Sequence, residues 1–302
     1  MQVLISGASG LVGRALVTSL AADGHQVIRL VRSSQQAEEP DAILWSPRDG
    51  TIDSAGLEAA GRFDAAVHLA GEGIAAKRWT DAQKKRILES RVHGTRLLAN
   101  ALAGLSTAPG VFVSASAIGW YGDRGDEWLD ESAEAGDIFL SEVCREWESA
   151  TAPAVEAGMR VVLHRVGVVL SQDGGALAKM LTPFRLGLGG RVGSGQQYWS
   201  WISLEDLVRS IRHVIDDETI AGPVNAVAPH PATNSEFTRT LGKCLRRPTV
   251  FPLPAFVARL MLGQMADELL LGGARVRPGV LDATGFEWAH PNLPDALAAV
   301  LR

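Results

Sequence analysis

At 302 residues, with charged side chains making up 21% and a net charge of −5, the chain can bury a large core but offers no overall basic footprint. That disfavours nucleic acid or an anionic membrane as main partner, and no apolar run reaches the roughly 18–20 residues a membrane helix needs. Two distant cysteines, Cys144 and Cys244, form no disulfide framework, no histidine or cysteine has zinc-ligand spacing, and no basic leader precedes Gln2-Val3-Leu4-Ile5, so the expected setting is the cytoplasm.

In chain order, Val3–Ser6 reads as a strand and Leu11–Ala22 as a helix with Val12, Leu16 and Leu20 on one face. Val27–Val31, Ala42–Trp45 and Ala65–Ala70 are the next strands. Thr80 and Gln83 form a capping box for a helix reaching about Ala103. Val111–Ala115 is a fifth strand, Leu140–Ala157 a helix kinked at Pro153, and Val161–Leu170 a sixth strand. Beyond Ser171 the texture turns glycine-rich. Ser203 or Glu205 opens a helix, Pro223–Val227 is a late strand, Thr233 and Glu236 form a second capping box, and short helices follow from Pro252. Strands alternating with helices predict an α/β, doubly wound parallel sheet. Two units are expected: 1–170, with a return to the sheet near 201–228, and a smaller 171–302 that covers a substrate and ends in the helical segment 252–302.

The sharpest motif is Gly7-Ala8-Ser9-Gly10-Leu11-Val12-Gly13, set between the first strand and the first helix. There Gly7 allows a tight turn, Gly10 lets backbone approach a pyrophosphate, and Gly13 lets helix pack on sheet. The helix N-terminus supplies free N–H groups and a positive dipole end. The context is that of a Rossmann dinucleotide site. The second strand ends Leu30-Val31-Arg32-Ser33-Ser34, with no acid before Glu38 to hold a ribose 2′-hydroxyl. Arg32 is placed to pair with a 2′-phosphate and the serines to donate to it, which selects NADP(H) over NAD(H). Gly7, Ser9, Gly10, Leu11, Val12, Val31, Arg32 and Ser33 are the expected contacts, with Leu69, Ala70 and Gly71 where small residues let a cofactor lie close to the sheet edge.

These residues, with Val113-Ser114-Ala115-Ser116, resemble the extended short-chain dehydrogenase/reductase superfamily. Ala70-Gly71-Glu72, Arg78-Trp79-Thr80, Ser116-Ala117-Ile118-Gly119-Trp120-Tyr121-Gly122, Arg165-Val166-Gly167-Val168-Val169-Leu170, Gly193-Ser194-Gly195-Gln196 and Ser200-Trp201-Ile202 resemble its atypical NAD-dependent epimerase/dehydratase branch. About fifty C-terminal residues resemble that branch's domain of unknown function. The resemblance implies a Rossmann-type sheet ordered 3-2-1-4-5-6-7, a small-molecule substrate of unknown identity, and a homodimer of the kind many relatives form. Ser203 departs from it, standing where the branch usually has histidine.

The superfamily's proton chemistry uses Tyr-x-x-x-Lys, and this chain has none: Gly125 follows Tyr121 and Ile202 follows Tyr198 at that spacing. The pair's usual places fall on Phe139 and Val143, or on Leu140 and Cys144. Ser116 matches the family's catalytic serine, and Tyr121 is an alternative acid. Glu72, Lys77, Glu142 and Cys144 lie nearby in sequence, with surface or core roles as the plainer expectation. By the same resemblance, Arg91 replaces the usual asparagine and reaches the cofactor from the side, or else pairs with Glu89 on the helix surface. Arg165, on a strand, should pair with a carboxylate or a ligand; Val169 is a weaker carry-over. Trp79, Gln196, Gln197 and Trp201 are candidates for a substrate cleft, core packing being the alternative for the tryptophans. Two readings stand: an NADP(H)-dependent oxidoreductase or epimerase with an unconventional acid, and a non-catalytic NADP(H)-binding sensor or interaction protein.

Overall fold

A computed structural model describes residues 1–302. In its first half, short apolar runs bounded by glycine and amphipathic segments alternate as expected. They form β1 (Gln2–Ser6), α1 (Leu11–Ala22), β2 (Gln26–Val31), α2 (Ser34–Ala37), β3 (Ala42–Ser46), β4 (Thr51–Ile52), α3 (Ser54–Ala59), β5 (Ala65–His68), α4 (Asp81–Ala103) and β6 (Val111–Ala117). A short turn of helix over Ile118–Tyr121 follows, then β7 (Trp128–Leu129), α5 (Phe139–Ser149), α6 (Ala152–Glu156), β8 (Arg160–Val166), β9 (Val168–Leu170) and α7 (Gly175–Arg185). The second half adds β10 (Tyr198–Trp199), β11 (Trp201–Ser203), α8 (Leu204–Asp216), β12 (Gly222–Ala226), β13 (Ala232–Thr233), α9 (Asn234–Leu245), α10 (Ala255–Leu262), α11 (Gln264–Ala266), β14 (Arg275–Val276), α12 (Gly279–Ala283) and α13 (Leu293–Val300). No helix is long and apolar enough to cross a membrane.

The main sheet runs β12-β8-β6-β5-β1-β2-β3-β4. Its first seven strands are parallel, in the order the sequence implied; β4, which was not foreseen, adds an antiparallel edge through Trp45 opposite Ile52. Both faces are covered, as a parallel sheet requires. On one face Val3, Ile5, Val67 and Val113 pack against Leu16 of α1 and Ile211 of α8. On the other, Leu4, Ala66 and Phe112 pack against Leu98 and Leu102 of α4. The late segment also enters the first of these cores, through Leu281 of α12 and Phe286.

Three local expectations change. The sixth strand divides at Gly167, where the backbone runs so close to Ser200 that only glycine fits: a Cβ would sit 2.6 Å from the Ser200 carbonyl oxygen. Beyond it β9 leaves the main sheet and pairs with β11, Val168 opposite Trp201. The helix expected across Pro153 is two helices: proline lacks the N–H for the ladder, and the chain restarts from Thr151 with proline in the first turn. Of the capping box at α4 only half forms. Thr80 Oγ1 accepts from the Gln83 N–H at 3.2 Å, while the Gln83 side chain accepts from Arg86. The box at Thr233 and Glu236 is complete.

Two histidines lie wholly inside the sheet region. His68 Nδ1 is 2.6 Å from Ser6 Oγ, and Trp45 meets the imidazole edge-on at 5.9 Å. His164 Nε2 is 3.2 Å from Ser210 Oγ. Burial, with Arg91 adding a smaller push, lowers the His68 pKa to about 4; burial alone lowers that of His164 to about 4. The unfolded chain therefore binds more protons than the native state between the ordinary histidine pKa of 6.5 and about 4. Stability is predicted to be full above pH 6.5 and to fall through that window. Each histidine contributes a slope of up to about 1.4 kcal/mol per pH unit. Urea unfolding at pH 7, 5.5 and 4.5 measures this; equal midpoints at all three would contradict it.

Candidate functional site

The β1–α1 turn is built by backbone geometry. Gly7 has φ +73°, and a side chain there would strike the Leu69 carbonyl carbon at 2.7 Å. A Cβ at Gly13 would lie 2.2 Å from the Gly7 oxygen, so α1 starts almost in contact with the strand end. Gly10 occupies the N-cap position without a side chain to satisfy the helix, and no acid sits in the first turn. The N–H groups of Leu11, Val12 and Gly13 accordingly have no protein acceptor. Ser9 is exposed at the turn, its carbonyl held by Arg14 at 2.8 Å. A cavity of about 230 Å³ opens at the carboxyl ends of β1, β5, β6 and β8, lined by Gly7, Gly10, Leu11, Val12, Leu69, Ser116 and Val166 among others.

Next to this turn β2 runs parallel to β1, with Leu30 opposite Ser6. Val31 is half-buried, and Arg32 and Ser33 emerge exposed at the same edge. Arg32 makes no ion pair or side-chain hydrogen bond, whereas Arg29 on the same strand pairs with Glu39 at 3.1 Å. Ser33 begins α2 without donating or accepting through its hydroxyl. Ala70 and Gly71 follow β5 across the cleft.

Arg91 does not take the surface pairing with Glu89, which goes to Lys85 at 3.6 Å. Its guanidinium turns inward over the Trp147 ring of α5, 5.0 Å from the centroid. Val169 lies in β9, half-buried against Ile202 and Leu207. Of the two partners expected for Arg165, a carboxylate or a ligand, the structure supplies a carboxylate. Its Nε and Nη2 donate to the two oxygens of Glu148 at 2.8 and 2.9 Å, with both side chains almost fully buried. Its remaining nitrogen donates to the Tyr121 hydroxyl at 3.1 Å and reaches the Glu131 carbonyl at 3.4 Å. Trp120 lies against the guanidinium at 3.9 Å.

Ser116 and Tyr121, the two candidates for chemistry, both belong to this network. Ser116 Oγ donates to Glu148 at 2.6 Å, so its one proton points into the protein. Tyr121 is fully buried and donates to Asn225 at 2.7 Å. Burial, only partly offset by Arg165, pushes its pKa up to about 12. On α5, where the tyrosine and lysine of the superfamily fall, Leu140 and Val143 join an apolar cluster with Trp79, Ile87 and Met265, and Phe139 packs against it. Cys144 is a buried thiol raised to about 11, first by burial and then by Glu148. The Trp79 indole donates to the Ile74 carbonyl at 2.8 Å, and the fully buried Trp201 to that of His230 at 3.1 Å; both serve packing. Gln197 bridges the carbonyls of Val192 and Leu270, and Gln196 is exposed. Ser203 caps α8, accepting from the Asp206 N–H at 2.9 Å, a task a hydroxyl performs directly.

Glu148, Trp120, Glu131 and Asn225 were missed. A signal existed for Glu148: Leu140, Cys144 and Glu148 recur every four residues, so the acid shares the inward stripe of α5. A strand arginine next to that stripe requires such an acid.

Residues 3–226 match the NAD dependent epimerase/dehydratase family. The chain belongs to that family. Residues 253–300 match a domain of unknown function designated DUF1731. Among family members, an epimerase family protein of Mycobacterium leprae is 42% identical over 299 residues, covering 98% of this chain and 94% of that one. The human epimerase family protein SDR39U1 is 36% identical over 304 residues, covering 100% of each chain. A crystal structure of human SDR39U1 (isoform 2) with NADPH superposes with a TM-score of 0.89, at 36% identity and 99% coverage of each chain. A nucleoside-diphosphate sugar epimerase from Corynebacterium glutamicum gives 0.82 at 39% identity, covering all of this chain and 58% of that one.

Proposed function

We propose that this epimerase-family chain binds NADP(H) across the carboxyl edge of its sheet. The observation that carries the reading is the β1–α1 turn: three N–H groups without protein acceptors, on a backbone so close that side chains at Gly7 and Gly13 would collide with it. A diphosphate fits such a turn, and Arg32 at the neighbouring strand end fits a 2′-phosphate. The human relative crystallised with NADPH supports the choice of cofactor. In this reading Gly7, Ser9, Gly10, Leu11 and Val12 surround the diphosphate, and Val31, Arg32 and Ser33 the phosphorylated ribose. Leu69, Ala70 and Gly71 lie along the rest of the cofactor. Residues 1–170 form the cofactor unit and 171–302 the unit that covers a small-molecule substrate.

Bound NADP(H) would supply hydride transfer, for an oxidoreductase or epimerase reaction. Ser116 lines the cleft and would orient the substrate, but with its proton committed to Glu148 it offers the cleft lone pairs. A second reading, an NADP(H)-binding sensor without turnover, is favoured by the burial of Tyr121 and the apolar cluster on α5. Oxidation of NADPH with any member of a broad carbonyl panel would remove that second reading.

Arg32→Ala tests the cofactor assignment. It is expected to weaken NADPH by roughly 10- to 100-fold while leaving NADH nearly unchanged, the loss of a charged hydrogen-bonded pair. Titration with both nucleotides measures this, and equal weakening of the two would remove Arg32 from the site.

A further inference from the structure

The negative net charge hides an uneven distribution. The chain carries −5 overall, yet from Phe237 to Ala266 it holds five cations and no acid. Four of them, Arg239, Lys243, Arg246 and Arg247, belong to α9 and the turn that ends it. The fifth, Arg259, pairs with Asp267 at 2.8 Å. None of the four forms an ion pair. Glu236, the acid on α9, has its carboxylate taken by the capping box at the other end of the helix. Within the protein the four charged groups make one hydrogen bond, a long one of 3.4 Å from Arg239 Nε to the Ser235 carbonyl.

The chain reverses so as to bring these cations together. At Arg246 the backbone turns left-handed, with φ +53° and ψ 44°, and its N–H donates to the Lys243 carbonyl at 3.1 Å. Arg247 then donates its N–H to the Gly242 carbonyl at 2.9 Å. Thr249 lies so close to Gly242 that a Cβ there would strike the threonine methyl. Between the last turns of α9 and the returning chain is a cleft of about 320 Å³, lined by the four cations with Pro248 and Thr249.

A helix C-terminus favours cations through its dipole, which accounts for a charge or two in the last turn. It does not account for Arg239 beside Lys243, a like-charged pair four residues apart that repels. Nor does it account for arginine at the left-handed position, where glycine or asparagine is the ordinary choice. Apart from Asp41, Arg246 is the only residue other than glycine with positive φ. Strain of that kind, kept among unpaired charges, points to a ligand. Guanidinium forks match phosphate oxygens, and four cations converging on one cleft match a compact group with several negative charges. An acidic peptide would spread its charges along a chain instead. No aromatic ring lines the cleft to hold a base.

We propose that this cleft is a binding site for inorganic diphosphate or a longer phosphate chain, held by Arg239, Lys243, Arg246 and Arg247. It is separate from the β1–α1 turn. Phe237 and Leu241 pack α9 against α7 and α13, and none of its residues lines the cavity at the sheet edge. The proposal does not depend on the NADP(H) reading.

The test is calorimetric titration with inorganic pyrophosphate, sulfate and ADP at one ionic strength. The parent is compared with Arg246→Gly and with the double change Lys243→Ala, Arg247→Ala. Pyrophosphate should bind the parent at least roughly tenfold more tightly than sulfate, and the double variant should lose roughly 10- to 100-fold in affinity. Arg246→Gly should bind pyrophosphate more weakly yet unfold at a higher urea concentration, because the strain leaves with the charge. Pyrophosphate binding no tighter than sulfate, or undiminished in the double variant, overturns the proposal. A lower unfolding midpoint for Arg246→Gly counts against it too, since the arginine would then be there for stability. ADP that binds more tightly than pyrophosphate, and is lost with the same cations, would give the site to a nucleotide and overturn the inorganic assignment.

Discussion

Glu148→Ala is expected to cost about 3–5 kcal/mol of stability, among the largest losses available to a single substitution in this chain. The carboxylate accepts two hydrogen bonds from Arg165 and one from Ser116 in a region almost closed to water. Removing it leaves the guanidinium charged and buried, with only the Tyr121 hydroxyl and the Glu131 carbonyl to accept its hydrogen bonds. The pair itself is a different matter. Desolvating two ions offsets most of their attraction, so the double change Glu148→Leu with Arg165→Met should recover most of what the single change loses. Urea unfolding of the two variants decides this. A loss under about 1 kcal/mol in Glu148→Ala, small for a broken buried pair, would mean that the arginine is relieved in some other way.

Gly13→Ala sets two magnitudes against each other. Within a helix, alanine is favoured over glycine by about 1 kcal/mol, so propensity alone predicts a more stable α1. The added methyl would sit 2.2 Å from the Gly7 oxygen and 2.8 Å from the Ala8 Cα, and both are backbone atoms that no rotamer can move aside. The helix must retreat, carrying the N–H groups of Leu11 and Val12 away from the turn. NADPH affinity is expected to fall by at least roughly 100-fold, equivalent to about 2.7 kcal/mol and within the range of overpacking penalties. Calorimetric titration, with circular dichroism to verify retained helix, measures it. Affinity within threefold of the parent would mean that the diphosphate does not use this turn.

What could be read from the sequence was whatever depends on neighbours along the chain. Leu11–Ala22 has the same limits in sequence and structure, because Gly10 and Gly24 bracket an apolar stripe. Thr233 and Glu236 satisfy each other three residues apart, so their capping box was visible and real. The strand order followed from family resemblance, and β4, lying outside the seven-strand pattern, escaped it. Partner choice across space was the hidden part. Nothing near Gly167 announces the Ser200 carbonyl that packs against it where the sixth strand divides, and Gln83 could have turned back to its cap but met Arg86 instead. The need of Arg165 for a carboxylate or a ligand was legible; that Glu148 answers it depends on how α5 packs against β8.

The entry of Leu281 and Phe286 into the same core as Val3, Ile5 and Leu16 bears on how the chain is made. Every strand of the main sheet has been synthesised once Ala226 has emerged, yet the apolar floor beneath α1 and α8 is still missing pieces some sixty residues away. A nascent chain at that stage holds the whole scaffold with an unfinished interior, open to chaperones and to premature association. The amino-terminal half closes fully only once the segment carrying Leu281 and Phe286 has also been made.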